Sequence, residues 1–395
     1  MSAFTLVPQF VFLASFGLVC YTFFIYPLVL FLCYAAVQIY RDTLYLVSRR
    51  ERRVARAEVD ELPGVTLVIA AYNEESGLPG KIANLRETAY PVEKLQIIFV
   101  SDGSTDRTNE LLKSISEPVV EVVVLPQRSG KPIALNRGVE CAKHDILVFS
   151  DASTLFAPNA VSNLIRHFRD PHIGAVCGAV LLLGNEESER TEGTYWRFER
   201  MLRLMESRLG ATINASGAIY ALRKKCFVPL RADDLIDDLV VPMNARNLGY
   251  RIIEDPEAVA TDFSADNVKA EFARRARLAV GSFRALRRIK LGSLRGFTGF
   301  AFFSHKLLRW LVPFFLLAML ISNAFLLRIP VYQVALAVQL MFYFWALFGF
   351  LFRQKMKNVR YALLAYFLLT VHLAFLVGFW RSVFGERKTT WERVS

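Results

Sequence analysis

From Phe10 to Tyr40 the chain runs for 31 residues without a single charge. A bilayer core is spanned by about 20 apolar residues in helical form, so this stretch predicts one long transmembrane helix, bent at Pro27. It is too long for a signal-peptide core, and it lacks both a basic start and a small-residue cleavage site. Six arginines follow between Arg41 and Arg56. Positive charge beside a span marks the cytoplasmic side, which places the N-terminus outside. The last third offers three more span candidates, Trp310–Leu327, Val331–Phe352 and Tyr361–Trp380. An aromatic, weakly charged stretch from Phe297 to His305 precedes them and suits a helix lying in the membrane interface. One span plus three puts the C-terminus outside, whereas Arg381, Arg387, Lys388 and Arg393 place the tail inside; the two signals oppose each other.

This patterning divides the chain into an N-terminal transmembrane helix (1–45), a basic connector at the lipid surface (46–64) and a globular domain (65–292). An interfacial helix (293–306), C-terminal transmembrane helices (307–382) and a basic tail (383–395) follow. The chain has 32 Phe and is 54% hydrophobic, and the excess gathers at the two ends. A net charge of +12 fits membrane lipids or a phosphorylated substrate. No nucleic-acid-binding motif accompanies it, so no nucleic-acid partner is expected. The five cysteines form no CxxC pair and the five histidines have no ligand spacing, which argues against a disulfide frame and a zinc site.

Within 65–292 the apolar runs Val65–Ala71, Leu95–Val100, Val119–Leu125 and Ile146–Phe149 read as strands. Helical stretches such as Ile133–Ala142 alternate with them. That alternation is the signature of an α/β domain with a mostly parallel sheet, whose ligand crevice lies at the carboxyl ends of the strands. Here the first strand is followed by Asn73-Glu74-Glu75 and the second by Ser101-Asp102-Gly103-Ser104-Thr105-Asp106. The fourth runs into Ser150-Asp151-Ala152-Ser153-Thr154. Asp and Ser are common in plain turns, and Thr105 or Asp106 suits a helix cap, but acids on three strand ends at one edge favour a site. Further on, Thr191–Leu209 reads as a helix and Ser216–Arg223 as a strand. Asp238 is expected to cap a helix over Leu239–Leu248, with Pro242 close enough to that cap to be tolerated. Asp233-Asp234 is expected to be a solvated loop. Arg274 to Lys290 holds seven basic residues and no acid; a basic helix on anionic lipid is the plain reading of it.

Several short motifs now fall into an order: Ala71-Tyr72-Asn73-Glu74, Ser101 to Asp106, Gly130-Lys131 with Leu135-Asn136-Arg137-Gly138, and Asp151-Ala152-Ser153. Ser216-Gly217, Asp237-Asp238 and Arg274-Arg275-Ala276-Arg277 complete it. Their spacing, from about Val65 to Gly281, resembles membrane-bound family 2 glycosyltransferases, a group that includes hyaluronan, cellulose and poly-N-acetylglucosamine synthases and ceramide glucosyltransferase. The resemblance implies a GT-A fold, that is, a Rossmann-like, mostly parallel cytoplasmic domain with flanking transmembrane α-helices in the inner or plasma membrane. It implies an inverting transfer from a nucleotide sugar, expected to be UDP-linked, to a growing extracellular polysaccharide. A glycolipid-forming transferase with a lipid acceptor is the alternative, and a non-catalytic membrane subunit the third reading.

The same resemblance assigns roles. Ala71, Tyr72, Glu74 and Asp102 would line the nucleotide pocket, and Lys131 would contact the nucleotide. Asp151 would hold Mg2+ or Mn2+ with oxygen ligands, as a diphosphate leaving group requires. Arg275 and Arg277 would meet the diphosphate through charge-assisted hydrogen bonds. Asp238 would be the catalytic base, with Ser216, Gly217, Asp237 and Leu278 on the acceptor side. Neighbouring residues cannot share a face, so only one of Asp237 and Asp238 should reach the acceptor. The chain departs from the family pattern at Ser153, where a second Asp is usual, and at Arg274 and Leu278, which replace Gln and Trp. Ser153 removes a carboxylate from the metal site, and Leu278 removes an aromatic plane from the acceptor end.

Overall fold

A computed structural model describes residues 3–48, 62–183, 186–263, 268–287, 289, 294–352 and 360–385. Most of the expected basic connector and all but the first three residues of the tail lie outside them. The chain opens with α1 (Ala3–Cys20) and α2 (Tyr26–Ser48), joined by a π-helical turn at Tyr21–Ile25. The irregularity falls just before Pro27. Proline offers no N–H to the turn before it, and a widened turn absorbs that loss, with Tyr26 N–H bonding back five residues to Tyr21.

Then come β1 (Val65–Ala71), α3 (Leu78–Arg86), β2 (Leu95–Asp102), α4 (Thr108–Lys113), β3 (Val120–Leu125), α5 (Lys131–Cys141) and β4 (Ile146–Asp151). The expected strands are present. After them the chain forms β5 (Leu155–Phe156), α6 (Ala160–Ile165), β6 (Ile173–Leu183), α7 (Glu186–Arg208), β7 (Tyr220–Arg223), α8 (Asp237–Asn247), β8 (Arg251–Phe263) and α9 (Val268–Ala285). All eight strands join one sheet in the order β3-β2-β1-β4-β7-β6-β8-β5. β1, β2, β3 and β4 pair in parallel, as do β6 and β8, while β7 and β5 run antiparallel to their neighbours.

Burial explains why the first strands are continuous apolar runs. Every residue of β1 is buried, because layers cover both faces, as parallel sheets require. Successive side chains alternate between those layers. Val68, Ala70, Ile98 and Val100 enter one core with Ala134, Leu135 and Val139 of α5. Leu67, Ile69, Ile97 and Phe99 enter the other with Leu78 and Leu85 of α3. Where the alternating rhythm fades in the sequence, the two longest strands, β6 and β8, lie side by side with register shifts at Ile173/Ala175 and Gly178/Ala179.

The chain ends in α10 (Gly296–Ala301), a π-helical turn (Phe302–Leu307), α11 (Leu308–Ala324), α12 (Pro330–Phe352) and α13 (Arg360–Phe384). Among the described residues, four helical stretches are long and apolar enough to cross a membrane: Thr5–Ser48, Gly296–Ala324, Pro330–Phe352 and Tyr361–Phe384. The segment expected as a separate interfacial helix is therefore, from Gly296 on, the first part of one continuous spanning candidate. The basic helix α9 does not lie alone on lipid either. A Cβ at Gly378 of α13 would stand 2.8 Å from Ala276 O of α9, so these two helices touch almost backbone to backbone.

Candidate active site

Three strand ends meet at one edge of the sheet. Register pairs Ala70 of β1 with Asp151 of β4, Ala71 with Ser101 of β2, and Asp102 with Leu125 of β3. The two acids do different work. Asp102 is 1% exposed; its Oδ1 accepts the Ser129 N–H at 2.6 Å and its Oδ2 the Gly130 N–H at 2.8 Å. Beside it, Gly103 has φ +65°, and a Cβ there would stand 2.6 Å from the Gln127 carbonyl carbon. Only glycine fits such a left-handed, crowded position. Asp102 and Gly103 thus pin the loop that delivers Lys131 at the start of α5. The same loop lays Arg128 over the Tyr72 ring at 3.9 Å, a cation–π stack at the mouth.

Of the residues expected at the nucleotide, Ala71 and Glu74 are buried, at 1% and 6% exposure, and the Glu74 N–H donates to Thr108 Oγ1 at 2.8 Å. Asn73 takes a left-handed φ of 53° and accepts the Thr105 N–H at 2.8 Å. The capping role falls to Asp106, whose Oδ1 accepts the Thr108 N–H at 3.0 Å.

Lys131 is the hub. Its Nζ lies 2.7 Å from Asp151 Oδ1 and 3.1 Å from Asp237 Oδ1. Burial works against its charge, yet Asp151 and Asp237 outweigh burial and hold the ammonium above its ordinary range. The Tyr220 hydroxyl stands 3.5 Å from Asp237 Oδ2, so Asp237 is committed on both oxygens. Asp238 lines a cavity. Its carboxyl is pushed up to about 6, first by burial and then by Asp237, with Lys131 and Arg203 pulling it back. Gly217 floors the space between them: a Cβ there would sit 3.6 Å from Lys131 Nζ, 3.8 Å from Asp151 Oδ2 and 3.8 Å from Asp238 Cβ. Ser216, its neighbour, forms an isolated bridge with Ile219 at the entry to β7.

Two expectations about this stretch need correction. Ile236, not Asp238, caps α8, and both acids lie in the first helical turn. Pro242 is consequently the sixth residue of the helix. Asp234 is not solvated: it is 6% exposed and accepts the Arg231 N–H at 2.8 Å, closing a tight turn before α8.

The two arginines of α9 divide their attention. Arg277 is in the field of Asp151 and Asp237, though burial and Arg274 weigh against its charge. Arg275 is 7% exposed and stacks 4.6 Å over the Phe367 ring of α13. Arg275 and Leu278 line the same cavity as Asp238, which encloses ≈ 190 Å³ and runs to Phe23, His372 and Phe375 of the apolar helices.

Behind Asp151 lie residues that the sequence did not announce. Ser153 Oγ donates to Asp262 Oδ1 at 3.2 Å, so a carboxylate from β8 reaches the position where the second Asp is missing. Lys81 is fully buried, with Nζ 2.8 Å from Ser150 Oγ and 2.5 Å from Thr154 O. Burial pulls its pKa down to about 7 while Asp151 and Asp262 act to raise it. A signal for Lys81 was present: it shares the buried face of α3 with Leu78 and Leu85, where an apolar residue is the norm. Asp262 and Arg203 had none.

Comparison with known proteins agrees with this geometry. Residues 66–227 match the model of Glycosyl transferase family 2. Over 237 residues the chain is 30% identical to the poly-β-1,6-N-acetyl-D-glucosamine synthase of Staphylococcus aureus (strain COL), covering 58% of this chain and 57% of that one. It is 26% identical over 261 residues to the "Probable glycosyltransferase YdaM" of Bacillus subtilis (strain 168), covering 60% of each. The chain thus matches 57–60% of the length of these curated relatives. A solved structure, the "Mannosyltransferase PcManGT from Pyrobaculum calidifontis in complex with GDP-Man and Mn2+", is similar over 97% of this chain and 99% of that one. Its TM-score is 0.66 and its identity 21%, a likeness of fold. Strand ends, sheet order and sequence therefore agree that the chain carries, over residues 66–227, a glycosyl transferase family 2 domain within a GT-A fold.

Proposed function

We propose that the protein is an inverting membrane glycosyltransferase that moves a sugar from a nucleoside-diphosphate sugar to an acceptor hydroxyl. The observation that carries this reading is the division of labour in the acidic pair: Asp237 is tied to Lys131, while Asp238 looks into the cavity with a carboxyl raised to about 6. A base with a pKa near working pH is suited to proton transfer. In the proposed step the acceptor hydroxyl gives its proton to Asp238 as its oxygen bonds to the anomeric carbon. The bond from that carbon to the diphosphate oxygen breaks with inversion. The diphosphate carries the electron pair away, its charge met by Lys131 and Arg277.

The residues present fit a divalent cation. Asp151 and Asp262 offer carboxylate oxygens on either side of Ser153, and such cations are commonly held by one or two carboxylates plus substrate phosphate. Among the described residues no set of three or more His, Cys, Asp or Glu gathers as a metal site, so the donor's own phosphates would complete the shell. Bound there, Mg2+ or Mn2+ would neutralise the leaving diphosphate. The similar mannosyltransferase was solved with GDP-Man and Mn2+, which supports a metal and a nucleotide sugar. A UDP-linked donor rests on the family resemblance alone, and turnover against a panel of nucleotide sugars tests it. The donor is cytosolic in this reading, with the domain on the side marked by Arg41 to Arg56.

A polysaccharide acceptor is supported by the similarity to a poly-N-acetylglucosamine synthase. One observation favours a lipid acceptor instead. The space beside Asp238 is walled by Leu278, Leu368, Val371 and Phe375, and its ≈ 190 Å³ is below the roughly 300 Å³ of a site for a drug-sized ligand. Such a space admits only the end of an acceptor. Labelled nucleotide sugar supplied to the protein in bilayers separates the two: a one-sugar lipid product refutes the polymer, and a ladder of long products refutes the lipid. Asp238→Asn tests the shared mechanism. It abolishes transfer and leaves nucleotide binding intact; normal turnover would refute the assignment.

A further inference from the structure

Pro242 stands in the interior of α8, buried, as the sixth residue of the helix. In an α-helix the N–H of residue i bonds to the carbonyl of residue i−4, and proline has no N–H. The carbonyl deprived of its helical donor is that of Asp238, the residue at the cavity. It is not left to solvent. Ala215 N–H, from the strand-like approach to β7, donates to Asp238 O at 2.8 Å. Ala215 is fully buried, and its own carbonyl accepts the Asn214 side-chain amide at 3.0 Å. Asn214 lines the cavity with Asp238, and Gly217, two residues beyond Ala215, forms the floor between Lys131, Asp151 and Asp238.

We infer that Pro242 is a positioning residue: by withholding a helical donor it dedicates the Asp238 carbonyl to Ala215, and so fixes the Asn214–Gly217 wall against the residue that takes the proton. The inference rests on the glycosyl-transfer reading given above. An alanine at 242 restores the helical N–H one turn above Asp238. That donor then competes with Ala215 for the same carbonyl, and the wall is free to move relative to the carboxylate. The helix itself improves, because alanine is the best helix former and proline the worst. Stability and turnover are thus expected to move in opposite directions, which an ordinary helix proline would not cause.

The test compares the full-length protein with Pro242→Ala in lipid bilayers, measuring thermal unfolding, donor KM and kcat. The expected result is an unfolding midpoint equal to or above that of the parent, an unchanged donor KM, and a kcat lowered about tenfold, since displacements near 1 Å cost up to about 10²-fold. An unchanged kcat overturns the inference. So does a kcat loss that comes with a lowered midpoint and a raised KM, because that is general damage. Replacing Ala215 by its α-hydroxy acid analogue removes the N–H that meets the Asp238 carbonyl; it lowers the midpoint, because that buried acceptor is then unmet, and must lower kcat at an unchanged donor KM, so full kcat in that variant also overturns the inference. Asp238→Asn, run alongside, keeps the two claims apart. If Asp238→Asn is active the glycosyl-transfer reading falls, whereas an inactive Asp238→Asn with a fully active Pro242→Ala removes only the role of Pro242.

Discussion

Around Lys131, Asp151 and Asp237 share one ammonium, and a third acid, Asp238, looks into a cavity. Around His305, Glu206 and Glu199 share one imidazole, at 2.6 Å from Nδ1 and 3.1 Å from Nε2. Glu206 also accepts the Tyr26 hydroxyl at 2.6 Å, and Glu199 meets Lys306 and Arg309 as well. Both networks mix acids with cations and join distant parts of the chain, the second more deeply buried than the first, in which the Asp151 side chain is 37% exposed. They differ in saturation. In the second, each acid is met by two or more donors, and the bonds tie α2, α7 and the start of α11 into one unit. In the first, one carboxylate at the cavity is left unmatched and its pKa rises; in the second, Glu199 lines the same cavity, but burial, which would raise it, is outweighed by Arg309, His305 and Lys306, which hold it low. Of two acids beside one space, the unmatched one is suited to take a proton.

The largest effect expected from that contrast is at Asp238. Asp238→Asn should lower turnover by two to four orders of magnitude, the usual contribution of a positioned base being about 10²–10⁴-fold, with thermal stability unchanged. Glu206→Ala should do the reverse. It leaves His305 Nδ1 and the Tyr26 hydroxyl, both buried, without their partner and should lower stability by about 1–3 kcal/mol, as unmet buried polar groups do. The molecules that remain folded should keep their kcat; a kinetic loss without a stability loss would erase the distinction between the two networks.

Acidification should separate the networks with a smaller effect. Asp238 is raised to about 6 and must be ionised to accept a proton, so kcat/KM, which reads the free enzyme, is full above that pH and falls about tenfold per unit below it. Burial would raise Glu199 too, but Arg309, His305 and Lys306 outweigh it and hold its carboxyl well below the usual range. Its stabilising effect is present above its unfolded pKa and lost only as pH falls toward the depressed folded value. Activity at low substrate should therefore vanish at a higher pH than the one at which the protein unfolds, which a pH series of kcat/KM and unfolding midpoints reads directly. The smallest effect is at Asp262. Asp262→Asn should raise several-fold the Mn2+ concentration that half-saturates the nucleotide-bound protein, read by electron paramagnetic resonance; an unchanged titration removes Asp262 from the metal site.

The strand-end half of the candidate site was legible in the sequence because it is built locally. Asp102, Lys131 and Asp151 each sit at the junction of one strand or loop with the next element, and an apolar run ending in an acid marks such a junction. The cavity beside Asp238 was legible only in part: Leu278 was named by its place in a motif, whereas Phe23, Tyr195 and His372 come from three further helical segments and each reads alone as an ordinary apolar or amphipathic residue. β8 escaped for another reason. Glu254, Asp255 and Pro256 interrupt its pattern, and the structure accommodates them by pairing Asp255 with Arg166 and His167 at its buried side and by a register shift near Gly178. Pro242 was visible but misplaced, since α8 starts two residues earlier than expected, at Asp237, and the expected later start made it look like a first-turn proline.

The contact of Gly378 with Ala276 makes the bilayer part of the frame on which the site is hung. α9 carries Arg275 and Arg277 on the helix that rests on α13, and α13 is one of the helices that can cross the membrane. A spanning helix answers a thicker or thinner bilayer by tilting. With no side chain at Gly378 to act as a cushion, that tilt would pass to the helix that holds Arg275 at the Asp238 cavity and Arg277 in the field of Asp151, so lipid thickness would enter this site as a geometric variable.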